Sequence, residues 1–280
     1  MEHVHAHGAE IPELGYGTFR MSDAEAEEGV RDALEIGYRH VDTAQIYENE
    51  KGVGAGIERS PVDRDEIFLT TKVWPDNFAG QRLVESVDES LRRLRTDYVD
   101  LLLLHWPKFE VPMAETVEAL NQVAADGKAR HIGVSNFTTE YLGRALELTE
   151  APLVTNQVEY HPYLSQAPIL EAVRGAGMSL TAYSPLAKGH VADDETLAEI
   201  GERHGKTAAQ VGLRWLIQQE DVIAIPKAAS AAHRRSNFDL FDFELSGEEM
   251  EEIHGLARTD GRIVDPDSVA PEWDDPVSVG

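Results

Sequence analysis

The strongest constraint on how this chain can fold is the recurrence of one local pattern. A short apolar stretch, a loop and an amphipathic stretch of helical spacing follow one another along most of the sequence. Candidate strands fall at residues 14–17, 39–41, 67–71, 99–104, 131–134, 154–157, 179–182 and 222–225, with helical patterns between them at 24–36, 81–94, 113–125 and 139–148. The last interval carries two helical patterns, 195–203 and 207–218, split by His204 and Gly205. Strands recurring every ~25 to 40 residues with helices between them predict an α/β fold, a (β/α)8 TIM barrel, more than an open sheet. With 280 residues and 42% hydrophobic content the chain can bury one large core, and no linker divides it, so 1–280 reads as a single barrel domain.

The two ends depart from the repeat. Residues 1–13 alternate His3, Val4, His5, Ala6 and His7 before a turn at Gly8, which predicts a small β-hairpin. Residues 246–280 hold an extra helical pattern, SGEEMEEIHGLA, and then an irregular tail broken by Pro266, Pro271 and Pro276. Ile263, Val264 and Trp273 would be out of place in a solvated tail, so it is expected to fold back over the barrel near its mouth.

A formal net charge of −26 argues against nucleic acid or an anionic membrane as partner, since both need a clustered basic face. The acid excess is spread over the helical patterns, as solvated faces are, and suggests adaptation to a salty cytosol in which self-repulsion is screened. The same repulsion leans towards a monomer. No apolar run is long enough to span a bilayer and the N-terminus lacks the order of a signal peptide, which reads as a cytoplasmic protein. Cysteine is absent, so no disulfide, thiolate metal site or cysteine nucleophile is available.

A barrel builds its active site from the C-terminal ends of its strands. Asp42 follows the second candidate strand, Lys72 the third and His105 the fourth, with Tyr47 close behind Asp42. Singly, Asp42 reads as a helix N-cap, Lys72 as a solvated strand-end lysine, His105 as a core histidine and Tyr47 as a packing residue. Together on one rim they make a proton-donating site. A phenol is a poor acid at neutral pH, and a neighbouring ammonium favours its phenolate, so Lys72, held by Asp42, is expected to lower the pKa of Tyr47. His105 would orient a carbonyl oxygen, and with no cysteine or flavin signature the natural hydride donor is a nicotinamide.

At these residues the chain resembles the aldo-keto reductases. The matching segments are GYGTF at 15–19, HVDTAQIYENE at 40–50, TTKVW at 70–74, LLLLHWP at 101–107, GKARHIGVSNF at 127–137, NQVEYHP at 156–162, AYSPLAKG at 182–189 and IPKAAS at 225–230. The resemblance implies that Tyr47 is the general acid, Asp42 and Lys72 its tuning pair and His105 the substrate-orienting residue. It implies a cofactor site of Gly17, Thr18, Ser135, Asn136, Gln157, Tyr183, Ser184 and Leu186, with Ser135, Asn136 and Gln157 on the carboxamide and Tyr183 stacked on the nicotinamide ring. Lys227 would meet the 2′-phosphate of NADP(H). Ala228 and His233 stand where the family carries serine and arginine, so Arg234 is taken as a substitute beside Asn237, and NAD(H) stays open as the alternative. Phe19, Trp74, Trp106 and Phe109 would form the substrate pocket. The tail motif is most similar to the prokaryotic 2,5-diketogluconate reductase branch, which implies keto-sugar acids and methylglyoxal-like carbonyls as substrates.

Two other readings compete. The same fold serves nucleotide-sensing regulatory proteins, which the complete set of four rim residues disfavours. His5 and His7 form an HxH pair of the kind found in metal-dependent hydrolases, but nothing elsewhere clearly completes a site, and no metal is expected.

Overall fold

The computed structural model describes residues 2–274; Met1 of the hairpin segment and 275–280 of the tail segment lie outside the described residues. Strands β1 (His3–Ala6) and β2 (Ala9–Pro12) pair antiparallel with Val4 opposite Ile11. The two turn residues between them, His7 and Gly8, both have positive φ, the geometry that matches the twist of a two-residue hairpin. Ala6, Ala9 and Ile11 pack against Phe68, Leu101, Leu103, Val154 and Ile223, so the hairpin plugs the N-terminal end of the barrel. His5 is exposed beside Glu10 and His7 bonds to the Ala176 carbonyl, at the end opposite to the strand termini that carry the chemistry. The hydrolase reading loses its geometry there.

Eight parallel strands follow: β3 (Gly15–Gly17), β4 (His40–Asp42), β5 (Phe68–Val73), β6 (Val99–Leu104), β7 (Ala129–Ser135), β8 (Leu153–Glu159), β9 (Ser179–Tyr183) and β10 (Val222–Ala224). They are ordered consecutively, and a parallel bridge from Leu14 to Ala224, with Gly17 N donating to the Pro226 carbonyl at 3.1 Å, closes the ring. The fold is thus the expected TIM barrel with an N-terminal hairpin.

The strands run further than their apolar cores indicate. Asp42 is the last residue of β4, not the residue after it, and Lys72 lies inside β5. Both positions point into the barrel, because Asp42 pairs in register with Thr70 and side chains two apart share a face. Polar residues can extend a strand here because they bond to one another across the barrel.

Helices alternate with the strands and cover the sheet. In α1 (Asp23–Ile36) a capping box joins Ser22 and Glu25, and Ala26, Val30, Ala33 and Leu34 face the core. A helix at Gly80–Leu94 buries Leu83, Val87, Leu91 and Leu94, one stripe at helical spacing. Gly205, in the left-handed region, separates the helices at Glu195–His204 and Ala208–Ile217. The extra helix at Gly247–His254 opens on a second capping box, Ser246 with Glu249.

Candidate active site

Behind the barrel mouth lies a buried polar chain. Lys72 Nζ, with no solvent exposure, donates to Asp42 Oδ1 at 2.6 Å and to the Thr43 carbonyl at 2.8 Å, and lies 3.5 Å from Tyr47 Oη. The other Asp42 oxygen accepts from Gln157 Nε2 at 2.8 Å across the barrel. Ser135 Oγ donates to the Gln157 carbonyl, Asn136 Nδ2 to Ser135 Oγ, and Tyr183 Oη to Asn136 Oδ1 at 2.7 Å. Residues from five strand ends are therefore held in one hydrogen-bonded set.

Burial works against every charge in this set. It pulls the Lys72 ammonium down, and the Asp42 carboxylate offsets part of that. Burial and then the nearby Lys72 charge hold His105 well below the ordinary histidine value, so its imidazole is neutral at neutral pH. The Nδ1 of His105 is buried with no hydrogen-bond partner among the described residues. Tyr47 corrects an expectation. Desolvation, followed by the Asp42 carboxylate, pushes its phenol well above the usual value. In the resting site the Lys72 ammonium, paired with Asp42 at 2.6 Å, does not outweigh these two effects. The resting phenol therefore keeps its proton.

The short 3₁₀ turn Gln45–Tyr47 presents the phenol, and polar residues fix that turn from below. Asn49 Nδ2 donates to the Thr18 and Met21 carbonyls, and Asn49 Oδ1 accepts from Thr43 Oγ1. Glu50 accepts from Thr71 Oγ1 and Arg93 Nε at 2.7 Å each. Gln45 accepts from Trp74 N and so ties the turn to the next loop. Sequence reasoning assigned no role to Asn49, Glu50 or Gln45. The signal available was a polar run continuing past Tyr47 into a helix that turns out to be buried.

A cavity of about 520 Å³ opens above this set. It is lined by Gly17, Phe19, Asp42, Tyr47, Trp74, His105, Trp106, Asn136, Gln157, Tyr183, Ser184 and Lys227 of the expected residues. Arg20, Ile46 and Lys188, to which sequence reasoning assigned no role, line it too, and so do Ile263 and Val264 of the tail, expected near the mouth, with Asp265 and Pro266 beside them. Phe19 and Ile46 are exposed at the mouth, and the Phe19 ring lies 5.0 Å from that of Tyr47.

Other expected residues stand behind the wall. Lys72 is enclosed beneath Asp42 and Tyr47, Thr18 Oγ1 bonds to the Asp42 carbonyl, and Ser135 is buried under Gln157. Leu186 packs on the core at the start of a kinked 3₁₀ segment. Arg234 is buried, with Nε on Asp32 Oδ2 at 2.6 Å and Nη1 on the Ala229 carbonyl, and Asn237 is buried on the same helix, Ala231–Phe238. Phe109 departs from its expected place in the substrate pocket. Its ring packs among Phe78, Phe137 and Tyr141, because an apolar cluster behind the loop takes it up.

The residues present fit a nicotinamide coenzyme. The Asn136 and Gln157 amides and the Tyr183 ring share one cavity with the phenol, and a Cβ at Gly17 would come within 3.0 Å of the Ile225 carbonyl, so the wall there is bare backbone. Among the described residues no group of three or more potential ligands could hold a metal.

A (β/α)8 barrel carrying a buried lysine–carboxylate pair, a protonated phenol and a neutral imidazole at one open cavity has the parts of a carbonyl oxidoreductase. The comparisons give the family. A family model described as "Aldo/keto reductase family" matches residues 13–258. Glyoxal reductase of Bacillus subtilis (strain 168) is 42% identical over 94% of this chain and 95% of its own length. Methylglyoxal reductase DkgB of Escherichia coli O157:H7 is 41% identical over 94% and 99%. A crystal structure provisionally named a 2,5-diketo-D-gluconic acid reductase B superposes with a TM-score of 0.97 at 57% identity, covering 98% of each chain. Aldose reductase from Schistosoma japonicum gives 0.88 at 33% identity, covering 93% of this chain and 94% of that one. The chain belongs to the aldo/keto reductase family and is an oxidoreductase acting on carbonyls. Among the described residues no helix is long and apolar enough to cross a membrane.

Proposed function

We propose that the chain reduces small aldehydes and ketones to alcohols with NADPH, and that Tyr47 donates the proton. The observation that carries this reading is the position of Lys72 Nζ, 2.6 Å from Asp42 Oδ1 and 3.5 Å from Tyr47 Oη, beneath an open cavity. The bound nicotinamide supplies the hydride. His105, neutral and lining the cavity, orients the carbonyl oxygen by a hydrogen bond from its imidazole. Tyr47 holds its proton until negative charge develops on that oxygen, and Lys72 then stabilises the phenolate left behind. Gln157 keeps Asp42 aligned on the lysine, while Asn136, Gln157 and Tyr183 bind the coenzyme ring.

Lys227, which lines the cavity along with Arg20 and Lys188, is a cation available to a 2′-phosphate, which supports NADPH over NADH. The aromatic walls and the names of the relatives support glyoxal- and methylglyoxal-like carbonyls and keto-sugar acids as substrates. The charge of −26 supports a monomer working in a salty cytoplasm.

The test is NADPH oxidation with methylglyoxal as substrate. Tyr47→Phe should bind NADPH as the wild type does and lose ~10²- to 10⁴-fold in kcat, the usual range for a general acid. Turnover by Tyr47→Phe close to that of the wild type would remove the proton-donor assignment.

A further inference from the structure

The C-terminal tail reaches the cavity through one carboxylate to which no role has been given. Glu159, the last residue of β8, has no solvent exposure. Its Oε1 accepts from Ile263 N at 2.8 Å and its Oε2 from Val264 N at 2.9 Å. His161 Nε2 lies 2.9 Å from Oε1, and Arg262 Nη1 3.9 Å from Oε2. A buried carboxylate with two backbone donors is costly to place and strong once placed, so it fixes the position of those two residues.

Those two residues are also cavity wall, together with Asp265 and Pro266. Lys188 Nζ holds the same stretch from the other side, donating to the Ile263 carbonyl at 2.7 Å. The approach is tight: Arg258 N donates to the Tyr163 carbonyl, and a Cβ at Gly261 would sit 1.8 Å from that oxygen. Beyond the clamp, Trp273 lies under the Arg262 guanidinium at 3.6 Å and against Trp106, which is itself a cavity residue.

We propose that Glu159 is a positioning residue: by holding the Ile263 and Val264 amides it sets where the tail wall stands over the cavity, and so which sizes of carbonyl substrate are bound. Among the described residues the side-chain partners of Glu159 are His161, Arg262, Ile263 and Val264, not Tyr47 on its turn, Lys72 in β5 or His105 after β6. A three-carbon dicarbonyl at the phenol does not need the tail wall. A six-carbon keto-sugar acid extends towards it and is held by it. The consequence for substrate size rests on the reductase reading; the clamp itself does not.

The test uses the full chain with NADPH and two carbonyls, methylglyoxal and 2,5-diketogluconate, together with amide hydrogen exchange. In Glu159→Gln one carboxylate oxygen is replaced by an amide NH2 group, which donates and cannot accept. Exchange at Ile263 and Val264 should rise while the barrel strands stay protected. KM for the keto-sugar acid should rise about tenfold, as for loss of one charge-assisted hydrogen bond, with kcat and the methylglyoxal constants unchanged. Gly261→Ala displaces the same wall without altering the buried carboxylate and should give the same split, which covers a Glu159 variant that fails to fold. Unchanged exchange at Ile263 and Val264 overturns the proposal. So does a fall in kcat for both substrates alike with KM unmoved, in either variant. A wild-type protein that oxidises no NADPH with either carbonyl sinks the reductase reading instead, and the exchange result then upholds or overturns the clamp by itself.

Discussion

Lys72 and Asp42 meet at 2.6 Å with both side chains buried, and each is the other's only opposite charge within ion-pair distance among the described residues. Breaking such a pair from one side leaves an uncompensated buried charge, which costs about 3–5 kcal/mol. Lys72→Met and Asp42→Asn should therefore each lower stability by that order and turnover by ~10²-fold or more. The double variant should recover most of the stability and none of the activity. Urea midpoints and kcat on the three variants decide it; a double variant no more stable than the singles would mean that the pair does not stabilise as a unit.

Arg234 tests the coenzyme end. Its Nε is engaged by Asp32 on α1 and its Nη1 by the Ala228 and Ala229 carbonyls, so it joins two helices and offers little to a phosphate. Arg234→Met is expected to cost roughly 2–3 kcal/mol, as loss of a largely buried charge-assisted bond does, and to leave the ratio of KM for NADPH and NADH unchanged. Lys227→Met should raise KM for NADPH alone. A loss of NADPH preference in Arg234→Met equal to that in Lys227→Met would return Arg234 to the phosphate site.

His40 gives stability a pH dependence of definite sign. Burial drives its pKa from 6.5 down to about 4 between Thr70 Oγ1 and the Pro12 carbonyl. Between those values the unfolded chain binds the proton and the folded one does not, so stability is full above about pH 6.5 and falls as pH drops towards 4. The 2.5-unit gap between 6.5 and about 4 corresponds to ~3 kcal/mol. His105 titrates in the same sense and the acid-rich surface in the other, so the difference between wild type and His40→Gln isolates the effect. Denaturant melts near neutrality and near pH 4 should show the wild type losing more; parallel losses would mean that His40 does not stay neutral in the fold.

Salt should stabilise this protein although it screens its surface ion pairs. With a net charge of −26 the long-range repulsion outweighs the exposed pairs, each worth at most ~1 kcal/mol. Tm is expected to climb as KCl is raised from ~0.1 M, where the screening length is ~10 Å, to ~1 M, where it is ~3 Å. A Tm that is flat or falling over that range removes the argument for adaptation to a salty solvent.

The sequence by itself determined the repeat of strand and helix, the hairpin with its turn at Gly8, the extra helix in the tail segment, and the rim of Asp42, Tyr47, Lys72 and His105. Those features are local: periodicity says which face of an element is apolar, and a turn is settled within a few residues. Tertiary structure alone decided the partners. It extended β5 through Lys72 and β8 through Glu159, where polar side chains find partners on other segments of the chain, and it drew Phe109 into an aromatic cluster away from the mouth. It gave Arg234 to Asp32, and it gave Glu159 to the amides of Ile263 and Val264. It also reversed the expected shift of Tyr47, since desolvation and the distance to a third charge depend on chain segments far apart in sequence, which no local pattern encodes.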